Sequence, residues 1–423
     1  MPFTSPNLFK DFTSGIVVFL VALPLCLGIA VGSNAEPIAG LIAGVVGGIV
    51  VGALSGSNLS VSGPAAGLTT IVSTYISKLP TYEVFLLGVV LAGLFQIILG
   101  YCKAGALRKY VPAAVIKAML AAIGLILILK QIPHVLGLQV NCMNDLSWRE
   151  LLQVNLYSRA VDLINCLSPA ALAIGILSLC VQILWGSPVI KSYRVLSFIP
   201  GPLLAVLSGM LVNYLLSVYF NSTALRPEFL VTIPELDITG AAVNALRFPD
   251  FTYLNNATVW MCAITLAIVA SLETLLSIEA VDNMDPYRRI TPPDRELKAQ
   301  GAGNIISGLL GGLPLTSVIA RSSANVNAGA SSKLSTVIHG LLLLLSVYFI
   351  PGLLNMIPLA SLAGVLIFTG YKLTHPALFV LHYRQGMHHF VPFVVTVVAI
   401  LTTDLLVGVG IGLLAAYLLR RRL

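Results

Sequence analysis

Ser55-Gly-Ser-Asn-Leu-Ser-Val-Ser-Gly-Pro-Ala-Ala-Gly67 opens with polar and β-prone residues and only then turns helical, in the middle of apolar sequence. About 255 residues later Gly311-Gly-Leu-Pro-Leu-Thr-Ser-Val-Ile-Ala-Arg-Ser-Ser-Ala-Asn325 does the same. In hydrocarbon, non-helical backbone persists only where protein or a water-filled cavity satisfies its N–H and C=O groups. If the chain spans a membrane, two such breaks predict a polar site at mid-depth.

Composition places it in a membrane. Hydrophobic residues make up 57% and charged residues 10%, with a mean hydropathy of +0.94; a soluble domain carries about 25% charge. A bilayer core asks for about 20 consecutive apolar residues per helix. Such stretches recur near 13–32, 36–55, 62–78, 83–101, 110–136, 168–186, 197–219, 257–281, 297–311, 317–330, 333–350, 355–374, 390–404 and 406–420. The first is no cleavable signal, because it lacks a good small-residue cleavage site and apolar spans follow it throughout. The expected fold is therefore an all-α integral membrane protein of about fourteen spans.

The net charge of +7 does not point to nucleic acid. Lys10, Lys103, Arg108, Lys109, Lys191, Arg194, Arg288, Arg289, Arg295, Lys298, Arg384 and Arg420 to Arg422 all fall on one side of such a topology, which is the cytoplasmic loop bias. Both termini are expected in the cytoplasm, in a bacterial cytoplasmic membrane. The long loops at about 137–165 and 221–256, with Asp145, Glu150, Glu228, Glu235 and Asp237, fall on the other side. Of six cysteines, Cys26, Cys102, Cys180 and Cys262 lie in or beside apolar runs and are read as small core residues. Cys142 and Cys166 share one external loop, where a disulfide stays open.

The repetition is wider than the breaks. Val21-Ala-Leu-Pro-Leu-Cys-Leu-Gly-Ile-Ala30 and Val269-Ala-Ser-Leu-Glu-Thr-Leu-Leu-Ser-Ile278 precede them at similar distances. An odd number of spans between the copies makes the second inverted. A 7+7 inverted repeat with matching broken helices is an architecture of secondary transporters.

If each break is a short strand followed by a half-helix, two helix N-termini meet near the membrane centre. Each offers about half a positive charge and unpaired N–H groups, which suits an anion. In the first, Pro64 can open the helix, and Ala65, Ala66 and Gly67 leave room for a ligand to reach the backbone. The competing reading is a helix-packing patch of small residues. In the second, Thr316 and Ser317 are natural N-caps and Arg321 follows about one turn on. An arginine in a span faces a cavity or a partner; it attracts the anion, pairs with Glu273 or with a carbonyl, or does both. Glu273 sits mid-span, the one acidic residue expected near mid-membrane and close to the second half-helix, with Ser277 one turn away. It can take a proton, help cage a sodium ion, or balance Arg321. Lys117 and Lys130 can snorkel, Gln96 and Asn304 bridge helices, and Asp404 starts the last span.

At these residues the chain resembles the SulP (sulfate permease) family of inorganic anion transporters over nearly its whole length. The most specific parts are the two breaks with Arg321, the stretch around Glu273, and Tyr110-Val-Pro-Ala-Ala-Val115. The resemblance implies a core domain (about 13–101 and 257–350) and a gate domain (about 110–219 and 355–420), the core sliding against the gate as an elevator. It implies an anion site at Ser62, Gly63, Pro64, Ala65, Ala66, Ala320, Arg321 and Ser322. A coupling site for Na+ or a proton is expected at Glu273, Ser277, Thr316, Ser317 and Val318. Pro24-Leu25 stands where sulfate-carrying members typically have Pro-Gln, which is closer to the cyanobacterial bicarbonate-transporter type. That branch is similar to a sodium-coupled system with Asp at the acidic position, where this chain has Glu273. The family usually adds a cytoplasmic regulatory domain that often mediates dimerisation; the chain stops at Arg420-Arg-Arg-Leu423, so it is expected to lack that domain or to be trimmed, with a homodimer as a partner expectation. The expected partners are thus a small inorganic anion and the lipid bilayer. Rival readings are a sulfate, chloride or dicarboxylate carrier and a passive anion channel. No triad, metal set or nucleotide loop supports an enzyme.

Overall fold

The computed structural model describes residues 8–109, 113–138, 167–187, 190, 199–219, 224–234, 246–403 and 405–420. The Cys142 and Cys166 pair, Lys191, Arg194, Asp404, Tyr110, Arg421, Arg422 and the loop acids Asp145, Glu150, Glu235 and Asp237 lie outside them.

Each apolar segment forms a helix where the breakers allow. The first four elements are α1 Leu8–Gly32, α2 Pro37–Leu54, strand β1 Ser62–Pro64 leading into α3 Thr69–Lys78, and α4 Tyr82–Tyr101. Then come α5 Ala113–Leu136, α6 Pro169–Gly186 and α7 Gly201–Tyr219. The second half gives α8 Ala257–Met284, α9 Pro293–Leu309, β2 Leu315–Ser317 leading into α10 Ile319–Asn327, and α11 Leu334–Phe349. It ends with α12 Leu359–Leu373, α13 Met387–Thr402 and α14 Leu405–Arg420. Among the described residues, eight helices are long and apolar enough to cross a membrane, and three shorter apolar ones accompany them. Proline openers at α2, α6 and α9 use the first-turn position that needs no donor.

Two boundaries and one burial differ from expectation. Helix α9 starts before 297, since Asp294 and Glu296 suit a first turn where the helix dipole favours negative charge. A separate short helix, Pro376–Arg384, precedes α13; Gly386 with φ 104° divides them. Cys102 and Cys180 are exposed on the protein surface, and only Cys26 and Cys262 are core residues.

The helices pack in two sets. One joins α1 to α2 and α11, and α4 to α8 and α9; the other joins α5 to α12 and α13, and α6 to α7 and α12. Close approach depends on glycine in both. A Cβ added to Gly93 on α4 would stand 2.6 Å from the Gly301 carbonyl oxygen on α9, and the reverse distance is also 2.6 Å. Gly124 on α5 and Gly370 on α12 repeat this at 2.6 and 2.7 Å. Such contacts stabilise bundles in lipid, where dispersion replaces the hydrophobic drive between helices. The two sets meet through α1 against α7 and α12, and α3 against α5.

At one end of the first set, buried carboxylates tie the halves together. Asp11 accepts bonds from Ser331 N (2.6 Å), Ser332 N (3.0 Å) and both serine hydroxyls. Glu296 accepts from Ser55 Oγ (2.5 Å), Gly56 N (3.1 Å) and Gln300 Nε2 (3.0 Å). Lys333 Nζ donates to the Ser55 carbonyl.

Candidate functional site

The two breaks meet. Strands β1 and β2 pair antiparallel in the register Ser62 with Ser317, Gly63 with Thr316 and Pro64 with Leu315. Val318 N donates to Val61 O at 2.9 Å and extends the pair. This answers where the backbone groups of a non-helical segment go when no water is near.

Side chains complete the satisfaction. Asn304 acts as a third strand: Leu315 N donates to its Oδ1 (2.7 Å) and its Nδ2 donates to Leu315 O (3.1 Å) and Gln96 Oε1 (2.6 Å). Gln96 Nε2 continues to Ser271 Oγ at 3.3 Å, so the expected bridging by Gln96 and Asn304 is borne out. Gln300 Nε2 donates to Ser62 Oγ (2.6 Å). Ser322 Oγ accepts from Val61 N (2.9 Å) and donates to Val318 O (2.8 Å). Ser60 Oγ and Ser317 Oγ bond each other, and Ser317 N donates to Thr274 Oγ1 at 3.4 Å.

After each strand a helix begins without a side-chain cap. Ala65, extended and 1% exposed, precedes a 3-10 turn Ala66–Leu68 that runs into α3. Val318 precedes α10 in the same way. Two expectations are thereby corrected. Pro64 ends the strand instead of opening a helix: it stands opposite Leu315, whose N–H and carbonyl both turn to Asn304, so its missing N–H costs the pair nothing and its carbonyl is free to accept from Arg321. Thr316 and Ser317 are strand residues, with hydroxyls used locally and by Ser60, and neither caps α10.

Arg321 is the largest fully buried side chain among the described residues. From the second break it crosses to the first, where Nη2 donates to Pro64 O at 3.2 Å. Nε and Nη1 make no hydrogen bond, and the buried Cys26 thiol of α1 stands within electrostatic reach of the guanidinium. Gly63 leaves the room it needs, since a Cβ there would collide with Nη1. His339, buried with Nδ1 3.3 Å from Thr336 O, lies within electrostatic reach of Arg321, and its Nε2 is also without a partner. Ala320 is exposed on the opposite side of the same turn.

Helix α8 packs on both breaks, but the Glu273 carboxylate lies over Gly67 of the first: a Cβ there would be 2.6 Å from both its oxygens. Oε2 has no hydrogen-bond partner, and among the described residues no ion pair joins Glu273 to Arg321. Ser277 is buried one turn further along α8. Sequence reasoning missed Asp11, Glu296, Gln300, Thr274 and His339. Glu296, Gln300 and Asn304 fall at intervals of four, and that polar stripe along α9 is the signal that could have found them.

A bundle of apolar helices holding two paired breaks, with a buried arginine and a buried glutamate beside uncapped helix starts, is the fold of a membrane protein with polar groups enclosed within it. The sulfate permease family model matches residues 8–397, and the chain belongs to that family of membrane anion transporters; it is not an enzyme. A putative sulfate transporter, YvdB of Bacillus subtilis, is 28% identical over 96% of this chain and 72% of its own length. The bicarbonate transporter BicA of Synechocystis is 26% identical over 98% of this chain and 70% of its own. The solved transmembrane domain of a cyanobacterial BicA covers 98% of both chains with a TM-score of 0.75 at 22% identity, which shows the shared fold.

Proposed function

We propose that the chain is a secondary active transporter that carries bicarbonate, driven by Na+ or H+, through alternating access of the elevator type. The observation that carries this reading is the buried Arg321 guanidinium, with two nitrogens unused, held across a strand pair from which two uncapped helices start. Backbone N–H groups at helix starts together with a fixed cation favour a compact anion over any neutral or cationic solute. The candidate donors lie at Ala65 to Gly67 and at Ile319 to Arg321. Glu273, with an unpartnered oxygen over Gly67, is the group that takes the driving proton or joins a sodium shell.

The two packing sets correspond to a core (α1–α4, α8–α11) that holds both breaks and a gate (α5–α7, α12–α14). Movement of one set against the other carries the site as a unit, because the strand pair and its Asn304 clasp lie wholly inside the first set. With about fourteen crossings the Asp11 and Glu296 end faces the cytoplasm, in agreement with the distribution of Lys and Arg.

Bicarbonate is favoured over sulfate by Pro24-Leu25 on α1 and by the likeness to BicA. Sulfate is the second reading, favoured by the likeness to YvdB. Proteoliposomes given labelled bicarbonate, sulfate or chloride, with sodium or proton gradients applied in turn, separate them. Concentrative bicarbonate uptake under one gradient is expected. Concentration of sulfate alone would reassign the substrate, and gradient-independent flux of all three would make the protein a channel.

A further inference from the structure

Helix α2 is lined with glycine where it passes behind the breaks. Gly44, Gly47 and Gly48 are buried, and the last two open a π turn, Gly47–Val51, that widens the helix there. A Cβ added at Gly47 would collide with the Ser62 carbonyl of β1. One at Gly48 would stand 2.5 Å from Gly340 Cα on α11 and 2.9 Å from His339 Nδ1, and one at Gly44 would stand 2.7 Å from Cys26 Sγ on α1. Arg321 Nη1 comes to the same face of α2: it fills the space beside Gly63, whose own Cβ would lie 3.7 Å from Gly44 Cα. Arg321 and His339 thus approach one face of α2 at positions four residues apart, which on a helix surface are about 5–6 Å from each other.

The two side chains, both fully buried, leave complementary groups unused. Arg321 Nε and Nη1 are donors without acceptors. The Cys26 thiol within reach of them is a weak acceptor and does not satisfy two N–H groups. His339 Nδ1 lies 3.3 Å from the Thr336 carbonyl, which can only accept, so Nδ1 carries the proton. Nε2 of the uncharged ring is then an acceptor without a donor. A water that accepts from the guanidinium and donates to the imidazole spans about 5–6 Å with two ordinary hydrogen bonds. Buried waters sit where polar groups would otherwise go unsatisfied.

We propose that His339 is a positioning residue for Arg321: through one buried water its Nε2 holds the guanidinium behind Gly63. The charge then acts on the anion at the breaks while the spare donors are satisfied inside the core. The effect on uptake rests on the anion-transport reading, whereas the contact of His339 with Arg321 is measured without transport.

The whole chain in lipid nanodiscs, carrying isotope-labelled histidine, displays the His339 ring by nitrogen NMR, assigned by its loss in His339→Gln. An unprotonated Nε2 at the position of a hydrogen-bonded nitrogen, moving downfield in Arg321→Ala, is the expected result. A protonated Nε2, or a resonance that stays in place in Arg321→Ala, would overturn the proposal and leave Asn325 Oδ1, one turn along α10 and also unpartnered, as the acceptor for the guanidinium. In proteoliposomes His339→Leu should raise the anion KM about tenfold with Vmax kept, and His339→Gln, whose Oε1 accepts near the place of Nε2, should bring KM back to within about threefold of wild type. In an Arg321→Ala background His339→Leu should add nothing, because it acts only through the guanidinium. Equal KM for the Leu and Gln variants, or an additive effect in Arg321→Ala, would make His339 a packing residue and refute the proposal. Should His339→Leu fail to fold, the spectra of wild type and Arg321→Ala decide the matter alone. A wild-type protein that moves no anion would sink the transport reading and leave the spectral test standing.

Discussion

Replacing Arg321 by Ala removes the one fully buried cation beside the paired strands. A unit charge about 4–6 Å from a bound anion, at an effective dielectric of about 20, contributes about 3–4 kcal/mol. At about 1.4 kcal/mol per factor of ten, anion affinity should fall roughly 10²–10³-fold. The effect on folding is smaller and of mixed sign. Pro64 O loses its donor, which costs about 1–3 kcal/mol, while a charge with two unpartnered nitrogens no longer has to be desolvated. Uptake KM in proteoliposomes and the Tm of solubilised protein therefore separate binding from stability. Arg321→Lys keeps charge but loses the planar fork that spans to Pro64, and should fall between wild type and Ala. A folded Arg321→Ala protein whose KM stays within about threefold of wild type would refute the placement of the anion at this charge, because the Coulomb contribution could not then be of the size given.

Three further substitutions probe the same geometry. Ala65→Leu, at a 1% exposed position just before the uncapped turn, should block uptake without altering charge, and normal affinity in that variant would put the anion elsewhere. Glu273→Gln keeps volume but not the titratable charge, so concentrative uptake should vanish while anion exchange persists; a stable Gln variant that still concentrates its anion would remove Glu273 from coupling. Asn304→Ala strips both bonds to Leu315 and should lower stability by about 2–4 kcal/mol, read as a drop in Tm with transport lost, whereas an unchanged Tm would mean that the strand pair holds without its clasp.

Much of the fold was legible because in lipid the backbone rule is severe: a run such as Ser55 to Gly67 reads as a break whose backbone is satisfied by protein or by a water-filled cavity. Apolar length set the helices, and the likeness of 55–67 to 311–325 pointed to a repeat. What stayed hidden was register and side-chain direction. Nothing in the sequence said that Ser62 would face Ser317, and the pairing turns Thr316 and Ser317 from caps into strand residues. The same applies to Glu273. Its position along α8 was readable, but which break it faces depends on the rotation of a helix polar on one short arc only, a rotation that sets Glu273 over Gly67 and Thr274 against Ser317 N.

That rotation bears on mechanism. Arg321 belongs to the second break in sequence yet lies behind Gly63 of the first, and Glu273, from the helix preceding the second break, lies over Gly67 of the first. Both charged groups therefore converge on the short stretch from Gly63 to Gly67, one from each end of it. An anion drawn there by Arg321 is met at the other end by a carboxylate, and like charges repel. Neutralising Glu273 with a proton, or screening it with a cation, removes that repulsion. On the proposed function, anion occupancy and cation occupancy of the Glu273 side would favour each other, and by linkage each should raise the other's affinity by the same factor.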